Sequence, residues 1–149
     1  MACTVLLVDT FSSFRVETGL IYPSFITGQM TGFLEQENVS FDVLFAVPQE
    51  EGDIDILVDN QLVSQSFQKV LEDLSPQIVA FFPEPELVPP ALAVLEQARR
   101  ILPESVFVAG INSGIPFSDQ YVQRGIDYIC GQDLYASFVR LTKDIMRGK

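Results

Sequence analysis

Two kinds of apolar pattern alternate along the chain. Short blocks rich in β-branched, leucine and phenylalanine residues fill Thr4 to Val8, Phe41 to Val47, Ile78 to Phe82, Val106 to Ala109 and Ile126 to Ile129. Between them, apolar residues recur every three or four positions. A block with almost no polar position has no face for water, so each predicts a strand covered on both sides. The wider spacing predicts amphipathic helices. One spans Ser24 to Gln36, with Phe25, Ile26, Met30, Phe33 and Leu34 on its stripe and Ser24 placed to cap it. A second spans Asn60 to Leu74, carries Leu62, Val63, Phe67, Val70, Leu71 and Leu74 on one side, and stops at Ser75-Pro76. Pro89-Pro90 opens a third, which runs to about Leu102 with Leu92, Leu95 and Ala98 inward and Arg99-Arg100 near its carboxyl end, where cations suit the helix dipole. A short helix falls near Ser118 to Arg124, and the last, Leu134 to Met146, sets Leu134, Phe138, Leu141 and Ile145 on one face behind an Asp133 cap. Ile54 to Val58 reads equally as a short strand or a helix start.

Strand and helix thus alternate along residues 1–149, which predicts one domain of α/β class. The expected form is a three-layer α/β/α, Rossmann-like (flavodoxin-like) domain with a five-stranded parallel sheet in the order 2-1-3-4-5. In such sheets ligands bind at the carboxyl edge of the strands. Val106 to Asp133 marks that edge most clearly, because one strand ends in Ala109-Gly110 before a polar glycine loop and the next ends at Gly131.

Composition narrows the function classes. The chain is 48% hydrophobic, with 12 Phe and no Trp, enough for a single core. It has no uninterrupted apolar run long enough to span a membrane and no secretory start, which predicts a soluble, cytoplasmic protein. Cys3 and Cys130 are the only thiols and histidine is absent, so neither a disulfide framework nor a zinc set is expected. The net charge is −11, and it is uneven: residues 1–68 hold ten acids and one base, residues 69–149 ten acids and eight bases. Phosphate-backbone binding needs the opposite sign, so nucleic acid is not an expected partner, and neither is a membrane. The acidic front half, including Glu50, Glu51 and Asp53, reads either as a solvated face or as a docking face for a basic partner.

Several chemistries are disfavoured by what the sequence lacks. The first strand is followed by Asp9-Thr10-Phe11-Ser12-Ser13 with no glycine until Gly19, which fits neither a dinucleotide turn nor a P-loop. Without histidine, the usual base for a serine or cysteine nucleophile is missing. A phospho-receiver site would place an aspartate after the third strand, where Phe82-Pro83-Glu84 stands, and a lysine after the fifth, where Gly131-Gln132 stands. Catalysis by the chain alone is not expected.

The order of features resembles the cobalamin-binding-type domain at the amino end of many B12-dependent radical SAM enzymes. The similar pieces are Leu6-Leu7-Val8, the Arg15 and Glu17 loop leading to Tyr22-Pro23 and a helix ending at Leu34-Glu35, Pro76-Gln77-Ile78-Val79, Val106-Phe107-Val108-Ala109-Gly110, and Gly125-Ile126-Asp127-Tyr128-Ile129-Cys130-Gly131-Gln132-Asp133. The resemblance implies a corrin on the carboxyl edge, with its nucleotide tail beside the strands in room left by small residues. The cofactor-binding positions it implies are Asp9, Thr10, Pro83, Glu84, Ala109, Gly110, Asn112, Ser113, Gly114, Gly131 and Gln132. This chain departs from the pattern in having no histidine as lower ligand, no serine after the third strand, and Ala109 for one glycine of a pair. Cobalamin would then be held without a protein ligand on cobalt.

Plainer roles compete for the same residues: Gly110 and Gly114 as turn glycines, Asp9 as a loop cap, Tyr128 and Phe107 as core, Cys130 as a small buried hydrophobe. Two functions stay open at this level. One is a non-catalytic cobalamin-binding-type module serving a radical SAM subunit or domain, either excised from a longer enzyme or free-standing. The other is a degenerate module without cofactor that acts by protein contact, through the acidic front half or the apolar residues around Phe11 and Phe14.

Overall fold

The computed structural model describes residues 3–11, 24–58, 61–63, 66–84, 87–110, 118–131 and 133–148. Seven strands form one sheet: β1 (Val5–Thr10), β2 (Phe41–Pro48), β3 (Ile54–Val58), β4 (Gln61–Val63), β5 (Ile78–Phe81), β6 (Val106–Gly110) and β7 (Tyr128–Cys130). Their order is β4-β3-β2-β1-β5-β6-β7. The expected five-stranded sheet is therefore corrected to seven. β2, β1, β5, β6 and β7 pair in parallel, while β3 and β4 add an antiparallel hairpin outside β2. The helices are α1 (Phe25–Gln36), α2 (Phe67–Leu74), α3 (Val88–Ile101), α4 (Ser118–Gln123) and α5 (Leu134–Met146).

All six residues of β1 are buried, as its apolar run requires. Side chains alternate across the pleat. Leu6 and Val8 join Val79, Phe81, Phe107 and Ala109 under α2, α3 and α4. Val5 and Leu7 join Ile78, Ala80 and Val108 under α1 and α5. Helices thus cover both faces, giving the three-layer, Rossmann-like arrangement. A third, smaller cluster holds Phe11 with Val47, Leu57 and Leu87. Phe11 is buried there and offers no contact surface; Phe14 lies outside the described residues.

Four local expectations change. The helix placed over Asn60 to Leu74 begins only at Phe67, capped by Ser66, because Gln61–Val63 pairs with β3 as a strand. A three-residue apolar step fits either period, and cross-strand pairing decides it. Phe25 and Phe33 are not core residues of α1: they are 71% and 41% exposed, and the buried stripe is Thr27, Met30 and Leu34. Tyr128, read as core, is 48% exposed on the edge strand β7, whereas Phe107 and Cys130 are buried. Asp133 does precede α5, but in the left-handed region (φ 52°) and with no side-chain cap bond.

At the amino edge of β6 and β7 a polar cluster fixes register. Asp127 Oδ2 accepts the Phe107 N–H at 2.8 Å and Arg99 Nη1 at 3.1 Å, and Arg99 Nη1 also donates to the Ser105 carbonyl at 2.7 Å. The Arg99 stem packs over Gly125, whose φ of 106° favours glycine and where a Cβ would lie 2.8 Å from Arg99 Cγ. On α3, the Gln97 side chain donates to the Gly52 carbonyl and ties the β2–β3 turn to the helix layer.

Candidate functional site

The carboxyl edge is built from the ends of β1, β5, β6 and β7. Asp9 is 4% exposed near the end of β1. Its Oδ2 accepts the Ser24 N–H at 2.8 Å and its Oδ1 accepts the Thr27 hydroxyl at 2.7 Å. Ser24 Oγ caps α1 by accepting the Thr27 N–H at 3.0 Å, and shares its proton between Thr27 Oγ1 at 2.8 Å and the Phe82 carbonyl at 3.1 Å. These four residues form a clasp that joins β1, the start of α1 and the residue after β5. Both Asp9 oxygens are engaged within it. Burial pushes the Asp9 carboxyl up to about 6; the Thr27 and Ser24 hydrogen bonds pull it partly back, and the Glu84 charge adds to the rise.

Thr10 is buried, its hydroxyl 3.5 Å from the Leu87 carbonyl at the start of α3. Pro83 and Glu84 are half-buried beyond Phe82. Ala109 is fully buried and packs toward the α2, α3 and α4 layer, away from Gly110 across the pleat. A Cβ on Gly110 would collide with Phe82 Cδ1 and lie 2.8 Å from Phe82 Cε1 and 3.0 Å from Leu134 Cδ1. The Phe82 ring is itself buried and meets Phe138 edge-on, with centroids 5.1 Å apart. Gly131 is exposed, with open space where a side chain would stand. Asn112, Ser113, Gly114 and Gln132 lie outside the described residues.

The structure therefore brings Asp9, Thr10, Pro83, Glu84, Ala109, Gly110 and Gly131 to one edge, with Ala109 facing the opposite helix layer from Gly110. The room that small residues were to leave for a nucleotide tail is filled, at Gly110, by Phe82 and Leu134. Among the described residues, the charged ones at the ends of β1, β5 and β7, namely Asp9, Glu84 and Asp133, are acids, an unfavourable setting for an anionic tail. At Gly110 the described residues leave no room for a group beside the strand. Among those residues no cluster of potential metal ligands occurs, and no helix is long and apolar enough to cross a membrane. Sequence reasoning passed over Thr27 and Phe82. The Ser24-x-x-Thr27 spacing was the available signal for the first, and none existed for the second.

No family model and no curated protein matches the chain. Among solved structures, the chain is similar to NtrX from Brucella abortus at a TM-score of 0.56 and 17% identity, over 97% of this chain and 26% of that one. The likeness is one of fold, and the chain spans about a quarter of that protein's length. Ribokinase from Giardia lamblia aligns at a TM-score of 0.33 and 12% identity, over 90% of this chain and 43% of the kinase, too low to carry an argument.

Proposed function

We propose that the chain is a non-catalytic contact module, a degenerate form of the cobalamin-binding-type domain that acts by binding another protein and does not hold the cofactor. The observation that carries this reading is the tight packing at Gly110, where Phe82 and Leu134 stand in the space a side chain would need. The engagement of both Asp9 oxygens by Ser24 and Thr27 supports it, since it commits the buried carboxyl to seating α1. The test is to incubate the purified protein with excess hydroxocobalamin, desalt it and record the visible spectrum of the protein fraction. A colourless protein is expected. Corrin retained near one-to-one would overturn the reading in favour of a cofactor carrier for a radical SAM partner.

A further inference from the structure

Away from the carboxyl edge, the outer surface of α1 and α5 is concave. Phe33 of α1 stacks on Tyr135 of α5 with centroids 4.9 Å apart and planes 21° from parallel. A hollow of about 370 Å³ lies on one side of this ridge, floored by Gly28 and Gly32, and one of about 580 Å³ lies on the other, bounded by Val139, Arg140, Lys143 and Arg147. Phe25 is exposed at the start of α1, just over two turns before Phe33. Solvent-facing aromatics gathered beside two hollows form an apolar groove rather than scattered surface residues.

Charge selects the occupant. The chain carries −11, yet three of its nine basic residues line the larger hollow. Lys143 is ion-paired to Glu37, while Arg140 and Arg147 make no ion pair among the described residues. Against Glu37 and Asp144, the three cations leave that lining net positive by one. An acidic partner is repelled by most of this molecule and least here, which gives the encounter an orientation. A second copy fits less well: paired about a two-fold axis, the groove would set Arg140 and Arg147 against themselves, and docked head-to-tail on the acidic β2–β3 turn it would grow an open chain. A groove between two helices, divided by one aromatic ridge, suits apolar anchors from successive turns of a single helix.

We infer that the α1–α5 groove of this domain docks an acidic amphipathic helix of a partner protein, with apolar anchors in the two hollows and carboxylates over Arg140 and Arg147. The inference rests on the contact-module reading and names its surface. The test uses two displayed libraries of amphipathic peptides about 16 residues long, long enough for four helical turns; one has Glu and Asp on the polar face, the other Lys and Arg. Binders are expected from the acidic library, and Phe33→Ala combined with Arg140→Glu and Arg147→Glu is expected to weaken them at least tenfold by fluorescence anisotropy. Glu50→Lys, Glu51→Lys and Asp53→Lys together are expected to leave their affinity intact or raise it. Circular dichroism of each variant checks that the fold persists. Enrichment from the basic library alone, lost on reversal of the acidic turn, overturns the groove and leaves the contact module standing on its other face. Acidic binders indifferent to the groove variant, no binder from either library, or self-association abolished by that variant also overturn the inference. Failure of the contact-module reading itself is read separately, by retained corrin.

Discussion

The two helix layers of this domain cover the same sheet but use their apolar residues differently. On one side, α3 buries Val88, Ala91, Leu92, Val94, Leu95 and Ala98, and α2 adds Phe67 and Leu71. On the other, α1 buries Met30 and Leu34 but leaves Phe25 and Phe33 in solvent, and α5 leaves Met146 exposed. The first layer has its large apolar side chains in the core, with Val122 of α4 as the exposed exception. The second layer divides them between holding the fold and facing outward. Burial of an apolar side chain stabilises by roughly 1.5–3 kcal/mol, so residues left in water are stability forgone. Such residues gathered on one layer point to contact.

The contrast breaks most visibly in stability measurements. Phe81→Ala, in the core under α3, is expected to lose about 3–5 kcal/mol, while Phe33→Ala changes stability by less than about 1 kcal/mol. Urea unfolding of both variants checks this, and comparable losses would erase the distinction between the layers. The next effect concerns the clasp that seats α1. Asp9 holds its proton to about pH 6 in the folded chain and to 3.8 without its surroundings. The folded state therefore binds more protons between these values. The stability due to neutral Asp9 is complete below about pH 4 and lost as pH rises through 6. The stability of the natural chain relative to Asp9→Asn is thus expected to fall by up to roughly 3 kcal/mol from pH 4 to pH 7. A difference that stays flat with pH would mean that α1 does not bury Asp9. Smaller again is Gly110→Ala, expected to cost about 1–3 kcal/mol through its clash with Phe82. Adding Phe82→Leu should recover part of the loss, and strictly additive effects in a double-mutant cycle would argue that the ring does not fill the space at Gly110.

What the sequence disclosed and what it hid follow from the range of the interactions. The apolar runs of β1, β5 and β6 have no polar face and admit one reading. Ser24 was legible as a cap because capping is local. The hairpin strand β4 was not, because Leu62 and Val63 fit a helical stripe until their pairing with Leu57 and Ile56 is known. Phe25 and Phe33 were drawn into the core by a stripe five residues wide, broader than the arc that α1 turns to the sheet. At the carboxyl edge, Asp9 and Gly110 were both singled out, but their partners were not. Asp9 meets a cap fifteen residues away, and Gly110 is filled by a ring that follows a different strand. A glycine written as an opening looks the same in sequence as a glycine already occupied.

Among the described residues, both outer strands of the sheet, β4 and β7, are three residues long. Fibril growth by strand addition needs a row of unpaired main-chain groups, and edges this short offer few. Phe25 and Phe33 sit on a helix, which presents no such row, and the exposed Tyr128 sits on an edge only three residues long. The chain can therefore carry apolar residues in water without supplying a template for amyloid-like stacking, and its shortest elements act as protection against aggregation.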